Sequence, residues 1–360
     1  MHNKAKAVVF TAPDNPLDIE SVEFPALLDG EILVKNTFSS ICKSDVNTYL
    51  GKRTEKTPTI LGHETIGQVV DVSSEQNVDV FGRKILKGDR VTWGIFASDP
   101  GDPMSQKGIP QKAASLFKYG HERITPDSHL HGGFASHTIV RKHTPLAVLD
   151  DHVPDAVASI INCSVCTVSG SIRLAGSLKA KRVGIIGAGM LGCVAVAMAK
   201  AEGAKEIHVM DIDSNRLKTA ESFGATHLHN VQIINKNPEQ KASLKNVLDV
   251  LLEYSGVAES MEWGLDLLDV GGIAVWVGGT FPQRKVELDS EQVIRKCLTF
   301  KGLHNYNVDD FKAGVRFITD HYHEFPFEDH VFDAGNLDQM KEAFDLASSS
   351  RYLRVGVRPS

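Results

Sequence analysis

The chain has 360 residues, 42% hydrophobic and 23% charged, which is the balance of a globular protein and a length suited to two domains. Its formal charge of -6 argues against a nucleic-acid or anionic-membrane partner, because either needs a basic face. No stretch carries ~20 consecutive apolar residues, which argues against a membrane span.

KAVVF, EILVKNTF, TIGQVVDV and DRVTW are short β-type runs, separated by turns such as LLDG and LKGD. Among them lie two compact polar pieces, Cys42-Lys43-Ser44-Asp45 and Gly62-His63-Glu64. A stretch from about residue 96 to residue 133 follows with little helical or strand period. Loops of that length inside compact domains are uncommon and are usually functional or disordered. A third piece, Asn162-Cys163-Ser164-Val165-Cys166-Thr167, precedes a change of texture. From about Ser164, apolar runs such as RVGIIG, EIHVMD and GGIAVWVGG alternate with helical stretches such as LGCVAVAMAKAEG and SNRLKTAESFG. Continuous apolar strands alternating with helices imply βαβ units and a parallel sheet. After KGLHNY the pattern is mixed again, and the chain ends in RYLRVGV, expected as a strand.

RVGIIGAGMLG places Gly187, Gly189 and Gly192, with Met190 and Leu191 between the last two, directly after a predicted strand and at the start of a predicted helix. In a G-x-G-x-x-G turn the first glycine permits the tight bend. The second lets the backbone approach a pyrophosphate, and the third lets helix and strand pack closely. The free N–H groups of the helix start then hold the phosphates. Nineteen residues past Gly192, Asp211 closes the strand EIHVMD. A carboxylate there accepts hydrogen bonds from ribose hydroxyls and repels a 2′-phosphate, so NAD is expected over NADP.

The start, MHNKAKAVVFTAPDNP, lacks the apolar core of a signal peptide, so a cytoplasmic location is expected. Five scattered cysteines are a poor disulfide framework and should stay reduced there. A catalytic zinc needs three protein ligands and one open position. The three polar pieces offer such a set: two thiolates and one neutral imidazole would cancel the charge of Zn²⁺.

These motifs together resemble the zinc-containing alcohol dehydrogenases of the medium-chain dehydrogenase/reductase superfamily. The marks are C-x-S-D, G-H-E, the cysteine before the cofactor domain, G-x-G-x-x-G and the domain order, and the likeness spans essentially the whole chain. It implies an α/β chain: a Rossmann doubly wound parallel sheet over residues 164–303, and a β-rich GroES-like catalytic domain over 1–163 and 304–360. SLFKYGHE and KGLHNY further resemble the subgroup associated with phosphonate catabolism. The resemblance puts the zinc ligands on Cys42, His63 and Cys163. It puts Thr167 near the nicotinamide, and Lys43 and Arg354 near the cofactor phosphates. Glu64 becomes a carboxylate close to the metal, and Asp45 the acceptor of the remaining N–H of His63. Many relatives hold a second, structural zinc in the long loop. The corresponding places here are Asp99, Asp102, Ser105 and Ala113, so one zinc per chain is expected, and the lobe 97–115 is read as kept without metal.

The implied reaction is hydride transfer between an alcohol and NAD, with Ser44 starting the exit of the alcohol proton. Where many relatives continue that relay with a histidine, this chain has Asn47, which cannot accept a proton. The substrate is read as a small alcohol or aldehyde, with a hydroxyphosphonate or a polyol as the specific candidates. Lys52, Arg53, Lys118, His121 and His304 are the cations available for an anionic substrate. A homo-oligomer, dimer or tetramer, is implied. Two alternatives compete: a zinc-free quinone- or enoyl-type reductase, and a non-catalytic NAD-binding redox sensor on the same fold.

Overall fold

The structure is a computed structural model and describes residues 4–73, 77–349 and 351–359. It divides into two compact units, one of residues 1–166, 307–322 and 327–360, the other of 167–306 and 323–326.

The first unit is built on a mostly antiparallel sheet. In spatial order its strands are Val331–Asn336, Arg354–Arg358, Ile32–Ser40, Glu64–Val72, Arg90–Trp93 and Leu146–Val148, and His137–Val140 also pairs with Ile32–Ser40. Only the first two run parallel. Strand Ile32–Ser40 is buried along most of its length because apolar clusters lie against it. One cluster gathers Phe10, Ile41, Val46, Ile60, Leu61, Phe134, Phe344 and Val355. The other gathers Val34, Val69, Val91, Trp93 and Tyr119. Burying one such side chain contributes about 1.5–3 kcal/mol. Ile41 and Val46 flank the Cys42 turn, and Ile60 and Leu61 precede His63, so the core itself anchors both polar pieces.

The stretch from residue 96 to 133 is ordered by its own polar bonds. Phe96–Ala97 pairs with Phe117–Lys118. Between them Asp102 caps the helix Pro103–Gln106, one carboxylate oxygen accepting the Met104 N–H at 2.8 Å and the other the Ala114 N–H at 2.9 Å. Asp99 accepts the Gly101 N–H at 2.8 Å, and its own N–H donates to Ser115 Oγ at 3.0 Å. Two of the four places aligned with a relative's cysteines thus cross-link the loop to itself, Asp102 through its carboxylate and Asp99 through its backbone N–H.

The helical run Asp155–Ala175 is long and apolar enough to cross a membrane, yet 83% of its most apolar window is buried inside the protein, as in a core helix.

The second unit is a six-stranded parallel sheet. Its spatial order is His227–Asn230, Glu206–Asp211, Arg182–Ile186, Leu248–Glu253, Leu268–Trp276, Thr299–Gly302. Numbered along the chain, that is 3-2-1-4-5-6, the doubly wound order whose ligand crevice lies at the carboxyl ends of the strands where the order reverses. The reversal falls at Arg182–Ile186, the strand that runs into Gly187.

Candidate metal centre and cofactor fingerprint

Cys42 stands between strand Ile32–Ser40 and helix Lys43–Tyr49, at the helix N-cap. Asp45, in the first turn, turns back and accepts the Cys42 N–H through Oδ2 at 2.9 Å. Its other oxygen accepts the Gly62 N–H at 3.3 Å and faces His63 Nδ1 at 3.5 Å. One buried carboxylate therefore fixes the backbone of two donor segments and lies on the far side of the imidazole. Gly62 has φ of +92°, and a Cβ there would lie 2.9 Å from the Phe134 ring, so the G-H-E turn needs its glycine.

Cys163 sits in a π-helical turn, Ile161–Val165, of the kind that often marks functional sites. Asn162 clamps this turn to the sheet: its amide donates to the carbonyls of Thr65 at 3.0 Å and Trp93 at 2.5 Å, and its oxygen accepts the Thr65 N–H at 3.1 Å.

These supports bring one donor atom each of Cys42, His63 and Cys163 within 4.8 Å of one another. Two sulfurs bound at about 2.3 Å to one tetrahedral cation lie about 3.8 Å apart, and here the two sulfurs are 4.0 Å apart. The set of two thiol sulfurs and an imidazole suits zinc. Contact with Cys163 pulls the Cys42 thiol well below its ordinary range, while the same contact, with burial, pushes Cys163 well above it. The pair competes for one negative charge, and a divalent cation at the shared point removes that competition. Cys166 stands apart from the trio, its sulfur 3.9 Å from the Phe311 carbonyl.

Glu64 is fully buried. It accepts from Ser40 Oγ at 2.8 Å and Ser164 Oγ at 2.9 Å, and from Arg354 Nε at 2.8 Å and Nη2 at 3.2 Å. Arg354 Nη2 also reaches Ser164 Oγ at 2.6 Å and approaches the Cys42 sulfur at 3.9 Å. At 6% exposure the Arg354 guanidinium is directed at the carboxylate beside the metal donors.

Ser44 Oγ lies 3.5 Å from His63 Nε2, next to the donor cluster. Lys43 is exposed in the first turn of the same helix. Sequence reading missed a polar group beside this centre. The ring of His121 lies 5.1 Å from that of His63, and its Nδ1 meets Glu55 Oε1 at 2.8 Å. Glu55 also pairs with Arg53 Nε at 2.8 Å. Lys118 is half-buried and interacts electrostatically with Arg53, Cys163 and Glu55. Arg53, Lys118 and His121 were visible as separate candidate cations, but Glu55, which ties two of them together, carries no spacing signal.

In the second unit, Gly187 follows the first strand directly, and Gly189 caps the helix Met190–Ala201. A Cβ on Gly192 would fall 1.9 Å from the Gly187 carbonyl oxygen, so only glycine permits this helix–strand approach. The space around Gly189 is open for 4 Å, room that a bound pyrophosphate needs and a side chain would fill. Asp211 ends the second strand at 8% exposure. Its Oδ2 accepts the Ala188 N–H at 2.7 Å and its Oδ1 the Asp213 N–H at 2.9 Å, so it also braces the glycine turn. Both oxygens retain lone pairs for ribose hydroxyls. Met190 is buried and Leu191 half-buried in the helix start, and Thr167 is buried in the helix Cys166–Ala175.

Residues 28–151 match the alcohol dehydrogenase GroES-like domain, and residues 191–320 match the zinc-binding dehydrogenase family. Among curated proteins, the chain is 27% identical to an L-threonine 3-dehydrogenase of Chelativorans sp. (strain BNC1) over 84% of this chain and 85% of that one. Among solved structures, an alcohol dehydrogenase from Thermotoga maritima superposes with a TM-score of 0.92 at 27% identity, covering 99% of this chain and 100% of the other. Galactitol-1-phosphate dehydrogenase from Escherichia coli superposes with a TM-score of 0.84 at 26% identity, covering 98% and 100%.

Proposed function

We propose that this chain, which belongs to the zinc-containing alcohol dehydrogenases of the medium-chain dehydrogenase/reductase superfamily, oxidises an alcohol that carries an anionic group, with NAD as hydride acceptor. The observation that carries the reading is the convergence of Cys42, His63 and Cys163 within 4.8 Å, two sulfurs and one imidazole around a single point. Cys42, His63 and Cys163 would hold the zinc, which would supply Lewis-acid polarisation of the alcohol oxygen, and NAD on the glycine turn would serve as hydride acceptor.

The chain's own residues supply the rest. Asp45 holds the Cys42 and Gly62 backbone in place, so the two donor segments keep their spacing. Ser44 Oγ, beside His63 Nε2, accepts the proton leaving the alcohol as it gives up its own hydroxyl proton to water, since Asn47 cannot take it. Asp211 accepts the ribose hydroxyls and disfavours a 2′-phosphate. The complete donor trio supports this reading against a zinc-free reductase or a non-catalytic sensor.

Arg53 and Lys118 support an anionic substrate, a hydroxyphosphonate or a phosphorylated alcohol, since both cations gather on the side of Cys163 and His121. The solved relative that acts on galactitol 1-phosphate supports the same class. One observation favours a neutral polyol instead: Glu55 already pairs with Arg53 and His121, and its carboxylate suits substrate hydroxyls. Five free cysteines suit a reducing compartment such as the cytoplasm. The exposed edge strand Thr299–Gly302 is where a second copy would extend the sheet into a dimer.

The test is a panel of hydroxyphosphonates, sugar-alcohol phosphates, polyols and simple alcohols, with NAD⁺ reduction followed by absorbance, on wild type and Lys118→Met. An anionic substrate should lead the panel, and Lys118→Met should raise its KM at least tenfold while a neutral alcohol moves less than twofold. A leading polyol with no effect of Lys118→Met supports the second reading. No turnover of any alcohol by protein that holds zinc and binds NAD⁺ overturns both.

A further inference from the structure

One other group of metal-capable side chains gathers among the described residues, in the second unit: Glu206, His208 and His227, whose donor atoms also lie within 4.8 Å of one another. They stand on the parallel pair Glu206–Asp211 and His227–Asn230, the latter the edge strand of the sheet. His208 is the direct register partner of His227, and Met210 that of His229. Alternate residues share a face, so Glu206, His208, His227 and His229 all point to one side. The three imidazoles stack nearly parallel, with ring centroids of His208 4.2 Å from His227 and 5.3 Å from His229.

The hydrogen bonds set the donor atoms. Thr226 Oγ1 donates to the Ile207 carbonyl at 3.1 Å, so its one hydroxyl proton is engaged. It then accepts from His227 Nδ1 at 2.9 Å, which leaves the His227 Nε2 lone pair open. His208 Nε2 faces Glu206 Oε2 at 3.2 Å, and His208 Nδ1 meets His229 Nε2 at 3.1 Å. This short chain of bonds can run in either direction. With the proton on His208 Nδ1 donated to His229, His208 Nε2 becomes a second free donor atom beside the carboxylate.

We infer that Glu206, His208 and His227 bind a divalent transition metal, zinc foremost, with His229 orienting the His208 ring from behind. Two imidazole nitrogens and a carboxylate oxygen form a zinc-type set that leaves one position for water, and the histidine held from behind by its other nitrogen is the usual outer arrangement of such sites. Ligands at about 2.0–2.1 Å from one tetrahedral ion sit about 3.3 Å apart. The donor atoms here lie within 4.8 Å of one another, so the ligands draw together by about an ångström when the ion binds. The site cross-links a four-residue edge strand to its neighbour. Lys205, whose Nζ is 3.2 Å from Glu206 Oε1, competes with the metal for that carboxylate, and Arg182, the register partner of Glu206, adds positive charge near His208.

The test counts zinc by mass spectrometry after equilibrium dialysis of the full chain in zinc buffered to the micromolar range. Wild type should hold one equivalent more than His227→Ala, and Glu206→Gln should weaken that extra equivalent at least tenfold. The extra equivalent should remain in Cys42→Ser, which separates this site from the cysteine centre. Substituting Co²⁺ gives a second readout: the metal lost in His227→Ala should carry no thiolate charge-transfer band. Circular dichroism and melting of His227→Ala should match wild type without metal, because the ring is exposed. Equal zinc content and affinity in wild type and His227→Ala, or a thiolate band on the metal that variant loses, overturns the inference.

Discussion

Arg354 and Glu64, 290 residues apart, form a buried bidentate pair, with Nε 2.8 Å from Oε2 and Nη2 3.2 Å from Oε1. The pair joins the last strand to the G-H-E segment, and through Ser164 and Cys42 it touches both cysteine segments. Removing one partner strands the other charge in the interior. Arg354→Met should therefore cost about 3–5 kcal/mol, read as a fall in the denaturant midpoint with unchanged slope. The double variant Arg354→Met with Glu64→Gln should recover a large part of that loss. A single variant as stable as wild type would mean the pair contributes nothing beyond its desolvation cost.

The same pair shows what could be read from the chain and what could not. The βαβ texture, the glycine turn and Asp211 were legible because buried parallel strands are continuous apolar runs and the turn needs glycine at set places. The edge strands His227–Asn230 and Thr299–Gly302 were not, since HLHN and TFKG carry no apolar run. Cys42, His63 and Cys163 were legible through short motifs. Arg354 stood out only as a basic residue in a strand, and a basic residue near a nucleotide fold suggests phosphate. Its pairing with Glu64 is set by the pairing of Arg354–Arg358 with Ile32–Ser40, a register that no local pattern encodes. Glu55 was invisible for the same reason, because its partners Arg53 and His121 meet only in the folded unit.

Asp45 links the Cys42 turn to the His63 turn, so its charge should be worth more than its bulk. Asp45→Asn should lower zinc affinity by about 10–100-fold, the usual range for a lost outer partner. Competition with a chromogenic chelator measures it. Activity should return with excess zinc, because the donors themselves remain. Loss of activity that zinc cannot restore, with unaltered affinity, would assign Asp45 a role other than holding the donors.

Asp211 has two tasks that different substitutions separate. Asp211→Asn removes the charge proposed to meet the ribose while keeping an oxygen for the Ala188 or Asp213 N–H. Preference for NADH over NADPH should fall at least tenfold, read from dissociation constants by fluorescence titration. Asp211→Ala should show the same loss and should also cost about 1–3 kcal/mol, because two backbone donors near the glycine turn lose their acceptor. A wild type that binds both cofactors equally would remove the basis for the first expectation.

His131 supplies a pH dependence away from the metal donors. Burial, with a smaller push from Arg141, lowers its imidazole to about 4 against the pull of Glu122 and nearby backbone. In the unfolded chain the same group titrates near 6.5. The folded state thus prefers neutral His131, and its stability from this group is complete above pH 6.5. As pH falls from there toward 4 the unfolded chain binds the proton first, and stability drains away by a total of roughly 3 kcal/mol. His131→Gln removes the titration, so its denaturant midpoint should fall less steeply than that of wild type across this window and in parallel with it at pH 7 to 8. Identical slopes for the two proteins between pH 6.5 and 4 would show that the His131 ring is already protonated in the fold.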